Sequence, residues 1–361
     1  MTGARVTAGV RFYPLRVASV DRLTEEAVAI TFDVPDHLAE EFRYLPGQHV
    51  TVRADVDGQD VRRSYSLCAN ANTGRLRVGV KRLRGGAFST WATTRLREGA
   101  TLEVTPPAGE FTIEADPGAA NHYAAVAAGS GITPVLSLIS TTLELEPNSR
   151  WTLIFGNRGA SSIMFLDEVE GLKDDYPDRL HLIHVLSRER PELELFAGRI
   201  DASKLERLFA TVVDADTVDQ WYLCGPYEMV ETARKVIEGR GVSPEGVHDE
   251  LFFAGPIDPA SIPPPDRIVG SVSLGVKVGG RRSETRMEPD MSILDAALRV
   301  RSELPFSCKG GMCASCKARL TEGEVSMDRN YALVDSELEA GYILTCQSHP
   351  AGDRVAVDYD I

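Results

Sequence analysis

Four cysteines near the C-terminal end constrain this chain more than any other feature. The run Cys308-Lys-Gly-Gly-Met-Cys313-Ala-Ser-Cys316 leaves four and then two residues between thiols, and Cys346 follows after 29 more. That spacing is the one used to hold a [2Fe–2S] cluster, with three thiolates from one loop and the fourth from a separate strand. Such a loop must curl tightly so that backbone N–H groups aim at the sulfurs. Gly310 and Gly311 permit positive φ, and Ser307, Ala314 and Ser315 are small enough to leave the wrap open. Structural zinc usually shows two short pairs of ligands, which a triple plus a distant single does not match. Six cysteines in 361 residues are too sparse for a disulfide scaffold. Cys68 and Cys224 stand alone, and a lone cysteine defaults to a small buried hydrophobe.

The length gives two or three domains, each able to bury its own core. Hydrophobic residues at 43% and charged residues at 25% are globular values, which excludes gross disorder. A net charge of −14 works against nucleic acid and anionic membranes as partners. No apolar run approaches the roughly 20 residues that span a bilayer, and the first eight residues lack the apolar core of a secretion signal, so a cytoplasmic protein is expected.

Three textures follow one another along the chain. Short alternating runs at 27–32, 49–53, 75–80 and 101–104, split by Gly, Pro and Asp, predict an antiparallel β-barrel over residues 1–116. Near-continuous apolar strands at 122–127, 151–155, 180–185, 220–224 and 247–253, separated by helical segments, predict an α/β nucleotide-binding domain with a parallel sheet over 117–254. Residues 255–267 carry several prolines and no hydrophobic period, and read as a linker. The last domain, 268–361, opens with two strand-like runs and a helix whose cap is Ser292 with Asp295 three residues on.

Gly129-Ser-Gly131-Ile-Thr133-Pro134 lies between the first α/β strand and a helical run. Glycines there let the main chain approach a pyrophosphate, and the helix N-terminus supplies N–H groups and a positive dipole end. The third glycine of the dinucleotide fingerprint is replaced by Pro134, and the second strand ends in Gly156-Asn157-Arg158 where a ribose-binding acid is expected. Arg158, with Ser187-Arg188 after the third strand, could hold a 2′-phosphate through charge-assisted bonds, although solvated loop arginines would look the same.

Two further segments invite a ligand. In Arg63-Ser64-Tyr65-Ser66, Arg63 could pair with a pyrophosphate and Tyr65 could stack on an aromatic ring. The stretch Gly86-Ala-Phe-Ser89 could present a helix start to a second phosphate. On periodicity alone, an ordinary strand and turn accounts for both.

Taken together, the RxYS and GGxxS motifs, the GxGxTP loop and the turn Cys224-Gly225-Pro226 resemble the ferredoxin–NADP reductase superfamily across nearly the whole chain. With a C-terminal plant-type [2Fe–2S] domain added, the chain is similar to the reductases that serve bacterial oxygenases. The resemblance implies an antiparallel barrel that binds FAD, an α/β domain that binds NADPH or NADH, and an α+β (β-grasp) ferredoxin domain. It implies that Arg63, Ser64, Tyr65, Ser66, Val80, Lys81, Gly86 and Ser89 hold FAD, with Ser66 near flavin N5. By the same resemblance Gly129, Gly131, Thr133, Arg158, Ser187, Arg188 and Gly225 serve the nucleotide, and Cys224 and Glu250 flank the nicotinamide and flavin edge. Cys308, Cys313, Cys316 and Cys346 would hold the cluster.

A nicotinamide gives two electrons at once and a cluster accepts one, so a flavin belongs between them. No oxygen-activating site is legible. Only Glu245-Gly-Val-His248 has the Glu-x-x-His form of a di-iron ligand pair, and no Cys-x-His pair suggests a Rieske centre. Oxygen chemistry is therefore expected on another chain, a client oxygenase served by a reductase that is monomeric on its own. The ferredoxin segments 325–333 and 344–350 are similar to those of the reductases of phenylacetyl-CoA epoxidases. The alternative is a client such as a 3-ketosteroid 9α-hydroxylase or another ring-attacking Rieske oxygenase.

Overall fold

The computed structural model describes residues 11–252, 271–306 and 309–360. The expected linker, Phe253 and the cluster ligand Cys308 lie outside the described residues. The chain divides into two compact units, whose described parts are essentially 13–252 and 271–360.

The first unit begins with the expected barrel. Strands β1 (Tyr13–Thr24), β2 (Ala27–Asp33), β3 (His49–Val56), β4 (Gln59–Ser66) and β5 (Leu76–Lys81) are followed by helix α1 (Ala87–Thr94) and strand β6 (Thr101–Val104). The antiparallel sheet runs β4-β3-β6-β1-β2-β5, and a bridge from Leu67 to Val78 joins its two edges. Alternation sends Leu15, Val17, Ile30, Val52 and Val78 inward, all fully buried, and Phe88 of α1 joins them. The two-residue connection Asp57-Gly58, both at positive φ, sets the β3–β4 register so that His49 faces Ser66.

The chain then builds β7 (His122–Ala128), α2 (Ile132–Leu145), β8 (Arg150–Asn157), α3 (Leu166–Asp175), β9 (Leu180–Leu186), α4 (Ala202–Thr211), β10 (Gln220–Pro226), α5 (Tyr227–Gly239) and β11 (Val247–Phe252). All five strands are parallel, in the order β11-β10-β7-β8-β9. Their apolar continuity reflects burial on both faces: Ala124 and Val126 pack with Leu208 and Val230 on one side, and Ala125 and Ala127 with Leu138 and Phe155 on the other. The second of these cores also takes in Ala27, Ala29, Cys68, Phe111 and Ile113 of the barrel portion. Strand order reverses between β7 and β10, so a crevice opens at their C-terminal ends, where α/β sheets bind ligands.

The second unit is an α+β fold. Strands β12 (Val272–Val278) and β13 (Arg281–Met287) lead to α6 (Ile293–Leu298), then β14 (Lys317–Glu322), β15 (Val325–Met327), α7 (Asp335–Glu339), β16 (Tyr342–Leu344), β17 (Ser348–Pro350) and β18 (Arg354–Asp358). The main sheet runs β13-β12-β18-β14-β16, with β12 and β18 parallel, and β15 pairs with β17 apart from it. Buried Ile293, Leu294 and Ala297 of α6 share one core with Val272, Leu274, Val276, Val355 and Val357 of the sheet.

The expected cap is present. The Ser292 hydroxyl accepts the Asp295 N–H at 3.1 Å, satisfying a donor that the six-residue α6 cannot pair internally. Ser292→Ala should cost about 1 kcal/mol, read as a lower urea midpoint for the ferredoxin unit.

Candidate functional site

Two cross-strand pairs meet where the barrel abuts the parallel sheet. On β3 and β4, His49 stands opposite Ser66; on β10 and β11, Cys224 stands opposite Glu250. The Ser66 hydroxyl donates to Glu250 Oε2 at 2.8 Å, and His49 Nδ1 lies 3.7 Å from Oε1. Burial raises the Glu250 carboxyl from 4.5 to about 7, with the Ser66 bond opposing it in part. Burial, and then the Glu250 carboxylate, push the Cys224 thiol well up, so it stays a thiol. Burial lowers His49, which is therefore neutral near pH 7. The sequence reading brought Ser66, Cys224 and Glu250 together and missed His49.

The other residues of the RxYS strand make contacts of their own. Arg63 is half-buried and its Nη1 donates to the Arg62 carbonyl at 2.6 Å. Ser64 shares a 3.1 Å hydroxyl bond with Thr51. Tyr65 leans on Phe88 of α1 with ring centroids 5.5 Å apart. Gly86 is the N-cap of α1, and no side chain caps that helix start. A Cβ at Gly86 would lie 2.5 Å from Ser89 Oγ, which itself accepts the Leu83 N–H at 3.1 Å. Ser89 thus shapes the turn, and the helix N–H groups are left to an anion. Val80 points into the barrel core, so only its main chain can serve a ligand.

The nucleotide loop is built by close approach. Gly129 has φ +55°, and a Cβ on Gly131 would collide with the Cys224 carbonyl oxygen, so only glycine lets this loop approach β10 so closely. The Thr133 hydroxyl turns back to the Ser130 carbonyl at 2.9 Å and tightens the loop. Lys81, expected to hold FAD, stands at this loop, its ammonium 3.6 Å from where a Gly129 Cβ would be. Strand alternation explains this, since Val80 takes the inward position. Burial lowers Lys81, and the positive charge of Arg158 lowers it further. A cation beside a glycine loop that opens a helix fits a pyrophosphate. Gly225, at φ +156°, leaves room for Met229 and the Ala128 backbone. Arg158 and Arg188 are both exposed and their backbones are joined: Ser187 N–H donates to the Asn157 carbonyl at 2.9 Å and Arg188 N–H to the Arg158 carbonyl at 2.8 Å.

In the second unit positive φ in the cysteine loop falls at Gly311, as expected, and at Lys309 and Ala314 instead of Gly310. Thr345 donates its hydroxyl to the Cys316 carbonyl at 2.9 Å and so draws β16 against the loop. The Cys316 and Cys346 thiols are neighbours; a hydrogen bond from Cys346 and burial push Cys316 up, with Cys313 within electrostatic range. Among the described residues no three ligating side chains close on one ion. A neighbouring thiol pair suits a [2Fe–2S] cluster, which Cys316 and Cys346 would help to hold through their thiolates.

Comparison with known proteins agrees with this division. Residues 14–113 match the oxidoreductase FAD-binding domain, 125–235 the oxidoreductase NAD-binding domain, and 276–351 the 2Fe-2S iron-sulfur cluster binding domain. The chain is 42% identical to one of the subunits of 1,2-phenylacetyl-CoA epoxidase of Escherichia coli K12, over 97% of this chain and 98% of that one. It is 31% identical to the ferredoxin reductase component of 3-ketosteroid-9-alpha-monooxygenase of Rhodococcus rhodochrous, over 99% and 100%. The solved phthalate dioxygenase reductase shares the fold at 24% identity and a TM-score of 0.63, over 96% of this chain and 98% of that one. With FAD, nicotinamide nucleotide and [2Fe–2S] domains in one polypeptide, the chain belongs to the ferredoxin–NADP reductase family of flavin and iron–sulfur oxidoreductases, in the group of oxygenase reductase components.

Proposed function

We propose that this reductase draws electrons from NADPH and delivers them singly to the oxygenase of a phenylacetyl-CoA epoxidase. End-to-end likeness to a component of that epoxidase carries the choice of client. A 3-ketosteroid 9α-hydroxylase or another ring oxygenase is the alternative, with the lower identity behind it. Cysteines that must serve a cluster as thiolates suit a reducing compartment, which supports a cytoplasmic location, and we take the reductase to be a monomer on its own.

The chemistry a flavin supplies here is the conversion of a hydride into single electrons. Each nucleotide oxidised leaves one proton to be removed, and Ser66, Glu250 and His49 are arranged to handle it. The Ser66 hydroxyl orients Glu250 Oε2; the carboxyl, near half-ionised at neutral pH, accepts and releases a proton at its oxygens; neutral His49 beside Oε1 offers the next acceptor. Cys224 contributes a neutral, compact wall, and Gly225 lets the backbone turn without a side chain in the way of a flat ring. Lys81 and the Gly129–Gly131 loop hold the pyrophosphate, Arg158, Ser187 and Arg188 the 2′-phosphate, and Arg63 with the α1 start the phosphates of FAD. Cys308, Cys313, Cys316 and Cys346 hold the cluster.

Infrared titration of the holoprotein should show a protonated carboxyl band that disappears with a midpoint near pH 7 and is missing in Glu250→Gln. Since the folded value lies above the ordinary 4.5, Glu250 costs stability increasingly as pH rises from 4.5 to 7, and the glutamine variant should be spared that loss. Cys313→Ser should abolish turnover with the purified epoxidase oxygenase while NADPH-driven ferricyanide reduction continues; loss of both activities would count against a self-sufficient flavin half. Arg188→Ala should raise the KM for NADPH by about ten-fold or more and leave that for NADH nearly unchanged.

A further inference from the structure

The second strand of the dinucleotide fold, β8, ends in Asn157-Arg158 with no carboxylate. The acid at this corner comes from the neighbouring strand. Glu189, three residues beyond the end of β9, turns back so that its Oε1 accepts the Ala160 N–H at 2.8 Å. It can reach because residue 159 is glycine: a Cβ there would collide with the same Glu189 oxygen. The loop is also tied to itself, since Ser162 Oγ accepts the Gly159 N–H at 3.1 Å and donates to the Gly159 carbonyl at 2.7 Å. Arg158 therefore sits between a strand end that is hydrogen-bonded to Ser187 and Arg188 and a loop that Glu189 pins.

We propose that Glu189 is a positioning residue for recognition of the 2′-phosphate of NADPH: by fixing Ala160 it holds Arg158 beside Arg188. The inference rests on the reading that these two arginines receive that phosphate. Like-charged guanidiniums repel, and a loose loop lets them part; a pinned loop presents both to one anion with less ordering left to do on binding. The carboxylate charge itself opposes a phosphate, so its contribution lies in the bond to Ala160. A glutamine, whose amide oxygen can accept the same N–H, should therefore do as well or better.

The test measures calorimetric affinities of the full-length holoprotein for 2′,5′-ADP and for 5′-ADP, with KM and kcat for NADPH and NADH alongside. Wild type should prefer 2′,5′-ADP, and Glu189→Gln should keep or improve that preference. Glu189→Ala and Gly159→Ala break the same contact from opposite sides, and each should weaken 2′,5′-ADP by about five-fold with 5′-ADP unchanged, raising the NADPH KM without moving kcat. Retention of wild-type preference in Glu189→Ala, an equal loss in Glu189→Gln, or a parallel loss of 5′-ADP overturns the positioning role. Wild-type indifference between the two probes overturns the 2′-phosphate reading and the role built on it together.

Discussion

The barrel and the parallel sheet share one hydrophobic core, and the chemistry depends on that continuity. Ala27, Ala29, Cys68, Phe111 and Ile113 pack into the same cluster as Leu138, Trp151 and Phe155. Polar contacts align the two parts around it. The Ser137 hydroxyl donates to the Ala69 carbonyl at 2.6 Å, Thr141 accepts the Ala71 N–H at 2.9 Å, and Arg77 pairs with Glu168 at 3.1 Å. The barrel can then rest in only one orientation. That orientation turns the end of β4 toward the end of β11, so that a hydroxyl and a carboxyl 184 positions apart become hydrogen-bonding partners.

What could be read from sequence divides along the range of the interactions. The cysteine loop was legible because its geometry is local: three ligands within nine residues, with small fillers between them, require a curl; of the two glycines expected to supply positive φ Gly311 does so, while Lys309 and Ala314 take it where the sequence did not point. The Gly129–Gly131 loop was legible for the same reason. His49 escaped, though a signal for it exists. Asp57-Gly58 is a two-residue hairpin turn, so positions whose numbers sum to 115 must face each other, and 49 pairs with 66. The turn gives the pairing of His49 with Ser66, but only the barrel-on-sheet packing brings Glu250 to both. Glu189 was beyond reach on similar grounds: it acts on one loop from another, and no spacing along the chain encodes such a contact.

Glu250 itself cannot be explained by packing. Among the described residues its surroundings supply one hydroxyl, a neutral imidazole and a thiol, and no cation paired with it. The carboxyl is held at about 7 instead of its ordinary 4.5, a cost on the order of 3 kcal/mol when ionised. An apolar side chain of the same size would avoid that penalty and pack against Cys224 at least as well. Structural carboxyls in this protein are solvated differently: buried Glu146 is engaged by the Tyr123 hydroxyl at 3.1 Å and the Asp116 N–H at 3.1 Å. A costly group with few partners, on the strand beside β10 and poised near neutral pH by its surroundings, is what the proposed proton-handling role calls for. The neutral state of His49 belongs to the same arrangement. Were that ring cationic, it would pull Glu250 down into permanent ionisation and take it out of the neutral range that its proposed proton-accepting role requires.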